Sequence, residues 1–168
     1  QEKGAAHERA YVEYLRAQGL TVVEIPVDAA PDERVSQTVA ALKSGADVIC
    51  QGAFAGQGWI GYADVLRKEP CPPGMRSSLG DFYYESYDTK LARETRGGTI
   101  LQLALYADLL GEIQGVTPER LFVVTPGKDF IVRAYRLADY AAYFRMVRTR
   151  MLTVLEKGAE VLLKESYP

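Results

Sequence analysis

The strongest constraint on the fold is a change in the spacing of apolar residues along the chain. Both ends carry apolar side chains at helical spacing, over residues 5–18 and from about Ala138 onwards. Between them lie short apolar runs bounded by glycine and proline, a pattern typical of strands. Because both periods occur in one chain, we expect an α/β protein with a mixed sheet of about five strands flanked by helices.

Glycine and proline residues mark the ends of the expected helices and strands. The predicted helices are 5–18, 31–44, about 100–110 and a long C-terminal one at about 138–165. The predicted strands are Asp47–Phe54, Trp59–Arg67, Phe82–Ala92, Leu121–Thr125 and Phe130–Tyr135, with Thr21–Val27 as a further short candidate.

Composition excludes several classes of protein. Of the 168 residues, 48% are hydrophobic, which is too many for a disordered chain. A net charge of −2 excludes a uniformly basic nucleic-acid binder but leaves room for a local basic groove. Two cysteines cannot by themselves build a disulfide framework or a four-cysteine cluster. We expect a cytoplasmic protein without a membrane span.

The first residues, from Gln1 to Gly4, include no methionine and no targeting signal. No internal repeat and no low-complexity tract is visible in the chain. We therefore expect residues 1–168 to be a single domain that is a fragment of a longer protein.

Acidic and basic side chains recur at positions that the predicted elements bring together. Asp64 lies on the second strand, and Asp88 and Lys90, two residues apart, share one face of the next. Gln102 and Tyr106 lie one turn apart on the following helix. Two carboxylates with a lysine are suited to phosphodiester hydrolysis, in which Mg²⁺ or Mn²⁺ is held by the carboxylates.

The order Asp64, then Asp88-Thr89-Lys90, then Gln102 to Tyr106 resembles the PD-(D/E)XK nuclease superfamily, within it the RecB-like branch found in nuclease–helicase fusions and CRISPR adaptation exonucleases. The resemblance covers roughly residues 5–155 and implies a restriction-endonuclease-like fold. It implies a metal held by His7, Asp64, Asp88 and the Thr89 carbonyl. It also implies catalytic roles for Lys90, Gln102 and Tyr106.

Several of these residues have simpler interpretations. Gln102 fits a capping box with Thr99 at the start of its helix, and His7 can be an ordinary helix histidine. Asp64 can be a residue at a strand end. Glu8 is predicted to point away from the buried face of the first helix, so it is left out of the site.

Basic and aromatic residues suggest how nucleic acid is held. The candidates for phosphate contacts are Arg93, Arg133, Arg145 and Arg148. Trp59 and the tyrosines are candidates for stacking on unpaired bases. With no broad basic surface, we expect single-stranded DNA or DNA ends to be preferred over duplex.

The sequence therefore predicts a metal-dependent deoxyribonuclease, acting as an exonuclease in repair or recombination, with a helicase domain as a possible neighbour in the full chain. Relatives in this branch often carry an iron–sulfur cluster, and none is expected within this segment. The alternative is a degenerate nuclease-fold domain that binds DNA or braces a neighbouring helicase domain.

Overall fold

The computed structural model describes residues 2–56, 58–91 and 97–166. The helices are α1 (Glu2–Ala17), α2 (Pro31–Ser44), α3 (Gly97–Gln114) and α4 (Leu137–Ser166). The strands are β1 (Val22–Glu24), β2 (Val48–Gly56), β3 (Trp59–Pro70), β4 (Phe82–Thr89), β5 (Arg120–Thr125) and β6 (Ile131–Arg136).

The strands form one mixed sheet in sequence order, β1 to β6. The β1–β2 and β4–β5 pairs are parallel, and the other three pairs are antiparallel. The predicted α/β class with a mixed sheet and flanking helices is confirmed. The described part of the chain has six strands rather than about five, because Val22–Glu24 adds to the sheet edge beside β2.

Helices pack on both faces of the sheet. Side chains of α2 and α3 form one apolar cluster with Ile49, and side chains of α1 form a second cluster with Val48 and Cys50. Because neighbouring residues of a strand point to opposite faces, α1 lies on one face and α2 with α3 on the other. Partly buried residues at the start of α4, Tyr140 and Phe144, pack against the first of these clusters.

Helix α2 buries two polar residues together with apolar ones such as Leu42. Arg34 and Thr38 are buried, whereas Val35 and Val39 are only half-buried. Thr38 Oγ1 donates to the Arg34 carbonyl at 2.7 Å and accepts from the Ala53 amide at 2.9 Å. The threonine can be buried because both of its hydrogen-bonding capacities are used, and it ties α2 to β2.

Several predicted boundaries differ from those in the structure. Helix α3 begins at Gly97 rather than near Ile100, and it extends to Gln114 rather than Leu110. Strand β4 ends at Thr89, and the predicted strand end at Ala92 lies outside the described residues. Among the helices described, none has the length and apolar character needed to cross a membrane.

Candidate active site

The candidate site lies where β3 and β4 separate. Their antiparallel ladder ends at the Val65–Tyr87 pair, so the next residues along the strands are Asp64 and Asp88. Instead of a ladder bond, Asp64 Oδ2 accepts hydrogen bonds from the Thr89 amide at 2.9 Å and from Thr89 Oγ1 at 3.0 Å. Strand β4 continues there in parallel with β5. The predicted juxtaposition of Asp64, Asp88 and Thr89 is therefore present.

Asp88 is a buried carboxylate with incomplete bonding. The residue is 3% exposed, and its Oδ2 is buried without a hydrogen-bond partner. Lys90 Nζ forms an ion pair with that oxygen at 3.1 Å, and the lysine side chain is 40% exposed. Burial, followed by the nearby charge of Asp64, raises the pKa of Asp88 to about 6, against the opposing effect of Lys90. The arrangement places a buried carboxylate oxygen against a partly exposed ammonium.

Helix α3 contributes the predicted polar pair. Gln102 Nε2 donates a hydrogen bond to the Tyr106 hydroxyl. Because α3 begins at Gly97, Gln102 lies beyond its first turn, and the capping box with Thr99 is not the contact formed. Burial raises the pKa of Tyr106, and the charges of Asp64 and Asp88 act in the same direction. Tyr106 also packs against Gly61 of β3, the strand that carries Asp64.

Close packing fixes the position of Tyr106. A Cβ atom at Gly61, on β3, would lie 2.7 Å from Tyr106 Cε1 and 2.8 Å from Cδ1. The missing side chain of Gly61 thus admits the ring against the strand. The tyrosine is 5% exposed, and its ring contacts Phe54 at a centroid distance of 6.4 Å.

His7 is buried on α1, and its Nε2 lies 3.1 Å from the Val124 carbonyl oxygen. The same carbonyl accepts a hydrogen bond from the Lys90 amide at 2.9 Å. His7 therefore lies next to the backbone of the site, in the orientation of a helix histidine satisfied by the main chain. In residues 2–56, 58–91 and 97–166, no three His, Cys, Asp or Glu side chains form a metal-binding group. The role of His7 as a metal ligand stays a prediction.

The sequence interpretation missed Glu8 and Gln51. Gln51 Nε2 donates a hydrogen bond to Glu8 Oε1, and the Gln51 carbonyl accepts one from Arg34 at 3.0 Å. Burial raises the pKa of Glu8; the hydrogen bond from Gln51 opposes this effect, and the charge of Asp64 adds to it. Glu8 lies one turn before the buried Val12, so the buried face of α1 is wider than predicted and reaches this carboxylate.

Strand pleating is interrupted at the same place. Ala63 and Leu66 belong to the α2–α3 cluster, and Val65 belongs to the α1 cluster, although strict alternation would put Ala63 and Val65 on one face. Opposite Asp64, Gln51 has a φ of 57°, in the left-handed region. This distortion sets the directions of Asp64 and Gln51 and is not visible in the sequence, because glutamine rarely adopts that conformation.

The predicted phosphate-binding arginines are spread over two elements. Arg133 is exposed on β6, and Arg145 is exposed on α4. Arg148 on α4 is half-buried and pairs with Asp108 of α3 at 3.4 Å. Arg145 and Arg148 line one cavity between α3 and α4. Arg93 lies outside the described residues.

Both cysteines are free thiols, Cys50 buried and Cys71 half-buried. Burial raises the pKa of Cys50 to about 12, so this thiol stays protonated and unreactive at neutral pH.

Comparison with known proteins leaves the family open. No family model matches the chain. The chain is similar to ATP synthase subunit alpha from two strains of Lactobacillus delbrueckii subsp. bulgaricus, at 27% identity over 139 residues. The match covers 73% of this chain and 28% of each relative. A similarity of this extent assigns the chain to no family, and it does not bear on the resemblance to PD-(D/E)XK nucleases.

Proposed function

We propose that this protein is a metal-dependent DNA nuclease of the PD-(D/E)XK, RecB-like kind, with a restriction-endonuclease-like fold. The observation that carries the proposal is the buried Asp88 carboxylate, whose Oδ2 pairs with the Lys90 ammonium at 3.1 Å and whose pKa is raised by burial and by the charge of Asp64. Burying a charged carboxylate destabilises the folded protein, and the raised pKa of Asp88 reflects this cost. The binding of a divalent cation would offset that cost.

The oxygen donors present fit Mg²⁺ or Mn²⁺. Asp64, Asp88 and the Thr89 carbonyl would hold the ion, since hard cations prefer carboxylate and carbonyl oxygens. His7 would join them through an imidazole nitrogen, as the resemblance implies. When bound, the ion supplies polarisation of the phosphate and a more acidic bound water.

The remaining residues act on the phosphate and the strand. Lys90, partly exposed and 3.1 Å from Asp88 Oδ2, presents a positive charge where negative charge develops on the phosphate oxygens. The Gln102–Tyr106 pair positions the nucleic-acid backbone beside it. Arg133, Arg145 and Arg148 contribute to holding a single strand or a DNA end, in an enzyme of repair or recombination.

Cleavage of end-labelled single-stranded DNA with Mg²⁺ or Mn²⁺ tests this function. Lys90→Ala should slow single-turnover cleavage by about a hundredfold or more, the usual cost of removing one such contact. The control is Lys68→Ala, which removes another strand lysine paired with an aspartate, Asp47, at 3.2 Å. It should cleave at the wild-type rate.

Metal binding and cleavage are measured separately. Calorimetry should show that Asp88→Ala loses Mn²⁺ binding while Lys90→Ala retains it. Circular single strands that resist cleavage would assign an exonuclease. If the wild-type protein binds DNA but cuts no strand with either metal, the degenerate DNA-binding alternative replaces the nuclease.

A further inference from the structure

The outermost strand of the sheet, β6, is largely uncovered. It pairs with β5 on one side and forms the edge of the described sheet on the other. All of its residues are exposed except Tyr135, which is half-buried. The exposed residues include the neighbouring apolar side chains of Ile131 and Val132. Adjacent apolar side chains that are exposed on an edge strand mark this part of the sheet as an interaction surface.

The segment that contains β6 is basic, although the whole chain is slightly acidic. Residues 126–136 hold three basic side chains, Lys128, Arg133 and Arg136, and one acidic side chain, Asp129. The net charge of the segment is therefore +2, whereas that of the whole chain is −2. Lys128 and Arg133 are exposed, and neither forms an ion pair within the described part of the chain. The charge of this surface is thus complementary to an anionic partner.

The register of the strands places Arg133 in line with the candidate site. Asp88 of β4 pairs with Val123 of β5, which in turn pairs with Arg133 of β6. Residues paired in register share one face of a sheet, so Arg133 lies on the face that carries Asp88 and Lys90. Neighbouring strands are about 4.8 Å apart, so the backbones of Asp88 and Arg133 are about 10 Å apart. About three stacked nucleotides, at about 3.4 Å each, cover this distance.

The turn between β5 and β6 is anchored beside the same edge of the sheet. Strands β4 and β5 are parallel, so the turn follows the end of β5 just as Lys90 follows the end of β4. Asp129 and Phe130 in the turn both have a φ of 61°, a conformation that is rare for a bulky phenylalanine. The Phe130 ring contacts three rings of α1, at centroid distances of 5.7, 5.3 and 5.2 Å from His7, Tyr11 and Tyr14. These contacts maintain the strained turn, which presents Lys128 to solvent.

We propose that the DNA strand passes from the candidate site across β5 and β6, with Arg133 and Lys128 binding its phosphates. The inference rests on the proposed function and adds the path of the substrate. A nucleic-acid strand presents one anionic phosphate per nucleotide, and lysine and arginine are the usual partners of phosphate. An acidic peptide is also anionic, but its binding gives no reason for a row of paired residues that leads to Asp88.

Binding of a fluorescent oligothymidylate of about ten nucleotides, in Ca²⁺ in place of Mg²⁺, tests these contacts. The double variant Lys128→Ala/Arg133→Ala should bind about tenfold more weakly at low salt. The slope of log K against log salt should become less steep by about 1.4, because each phosphate contact with a single strand contributes about 0.7. An unchanged slope would overturn the proposal.

A matched control removes the same two residue types elsewhere. Lys43→Ala/Arg76→Ala replaces an exposed lysine at the end of α2 and an exposed arginine in the loop that precedes β4. This protein should bind the oligothymidylate with the affinity and the slope of the wild type. An equal loss in the control would show that net charge alone governs binding, and it would contradict a path over the hairpin.

The length of the oligonucleotide tests the path itself. Because about three nucleotides separate Arg133 from Asp88, a thymidine dinucleotide bound at the site should not reach the arginine. Wild type and Lys128→Ala/Arg133→Ala should therefore bind the dinucleotide equally and differ only with longer strands. A loss of the same size with the dinucleotide would contradict the path.

The outcomes separate this inference from the proposed function. Cleavage that is unaffected, with binding unchanged in Lys128→Ala/Arg133→Ala, keeps the nuclease and removes the path. Weakened binding in that variant, with no cleavage by the wild type in any metal, keeps the path and removes the nuclease. If the wild type binds no strand and sedimentation shows a dimer that Val132→Glu dissociates, β6 binds a second copy of the chain and the proposal is wrong.

Discussion

Asp88→Asn should stabilise the metal-free protein at neutral and alkaline pH. In the folded protein the pKa of Asp88 is raised to about 6 from an ordinary value of 3.8, chiefly by burial and then by Asp64. Because the folded protein favours the protonated carboxyl, the contribution of Asp88 to the free energy of unfolding is greatest below pH 3.8. It is lost as the pH rises through about 6. The asparagine has no proton to lose, so it escapes that loss.

The size of the effect follows from the two pKa values. The two pKa values differ by about two units, and each unit corresponds to about 1.4 kcal/mol. Above pH 7 the ionised Asp88 therefore lowers the free energy of unfolding by about 3 kcal/mol. The Asp88 side chain is only 4% exposed, so screening by solvent has little effect on this free energy. Lys90 loses its ion pair in the variant, but its side chain is 40% exposed and can be hydrated.

Urea unfolding in a chelator, from pH 4 to pH 8, measures the difference. The free energy of unfolding of Asp88→Asn should match the wild type near pH 4 and exceed it by about 3 kcal/mol at pH 8. Asp28→Asn, at an exposed turn residue, is the control and should show no such trend. A difference that does not vary with pH, or a variant less stable at pH 8, would refute the reasoning about the buried carboxylate.

Substitutions at three further positions test local contacts by unfolding measurements. Gly61→Ala should destabilise the fold by about 1–3 kcal/mol, because its Cβ meets the Tyr106 ring at 2.7 Å; an unchanged midpoint would contradict this contact. Gln51→Gly should be about 1 kcal/mol more stable than Gln51→Ala, because φ is 57°; the reverse order would exclude the left-handed conformation. Asp47→Asn should cost about 1 kcal/mol at pH 7, because hydrogen bonds from Thr21 lower the pKa of Asp47. This cost should disappear as pH falls below 3.8 through the lowered value, and a cost that persists there would contradict the assignment.

The sequence predicted the parts of the site that depend on strand pairing. Apolar runs located β3 and β4, and their pairing brings Asp64 next to Asp88. The shared face of Asp88 and Lys90 follows from the two-residue period, and their ion pair is consistent with it. The Gln102–Tyr106 hydrogen bond follows from helical spacing in the same way.

The parts that the sequence could not predict depend on tertiary contacts. Gln51 adopts a left-handed conformation because Arg34 and Glu8 bind its carbonyl and its side chain, which no local propensity shows. Thr38 is buried although it is polar, because β2 supplies the Ala53 amide. The start of α3 at Gly97 could not be predicted, because glycine is a poor helix former and gives no signal for the beginning of a helix.

The most direct test of the account is the position of a divalent cation. Crystals of the wild-type protein grown with Mn²⁺ would be measured at a wavelength where manganese scatters anomalously. We expect a single strong peak bonded to the carboxylates of both Asp64 and Asp88, and no peak there in Asp88→Ala. If crystals grown at a saturating Mn²⁺ concentration hold no manganese between these two residues, or hold it elsewhere, the proposed active site is contradicted.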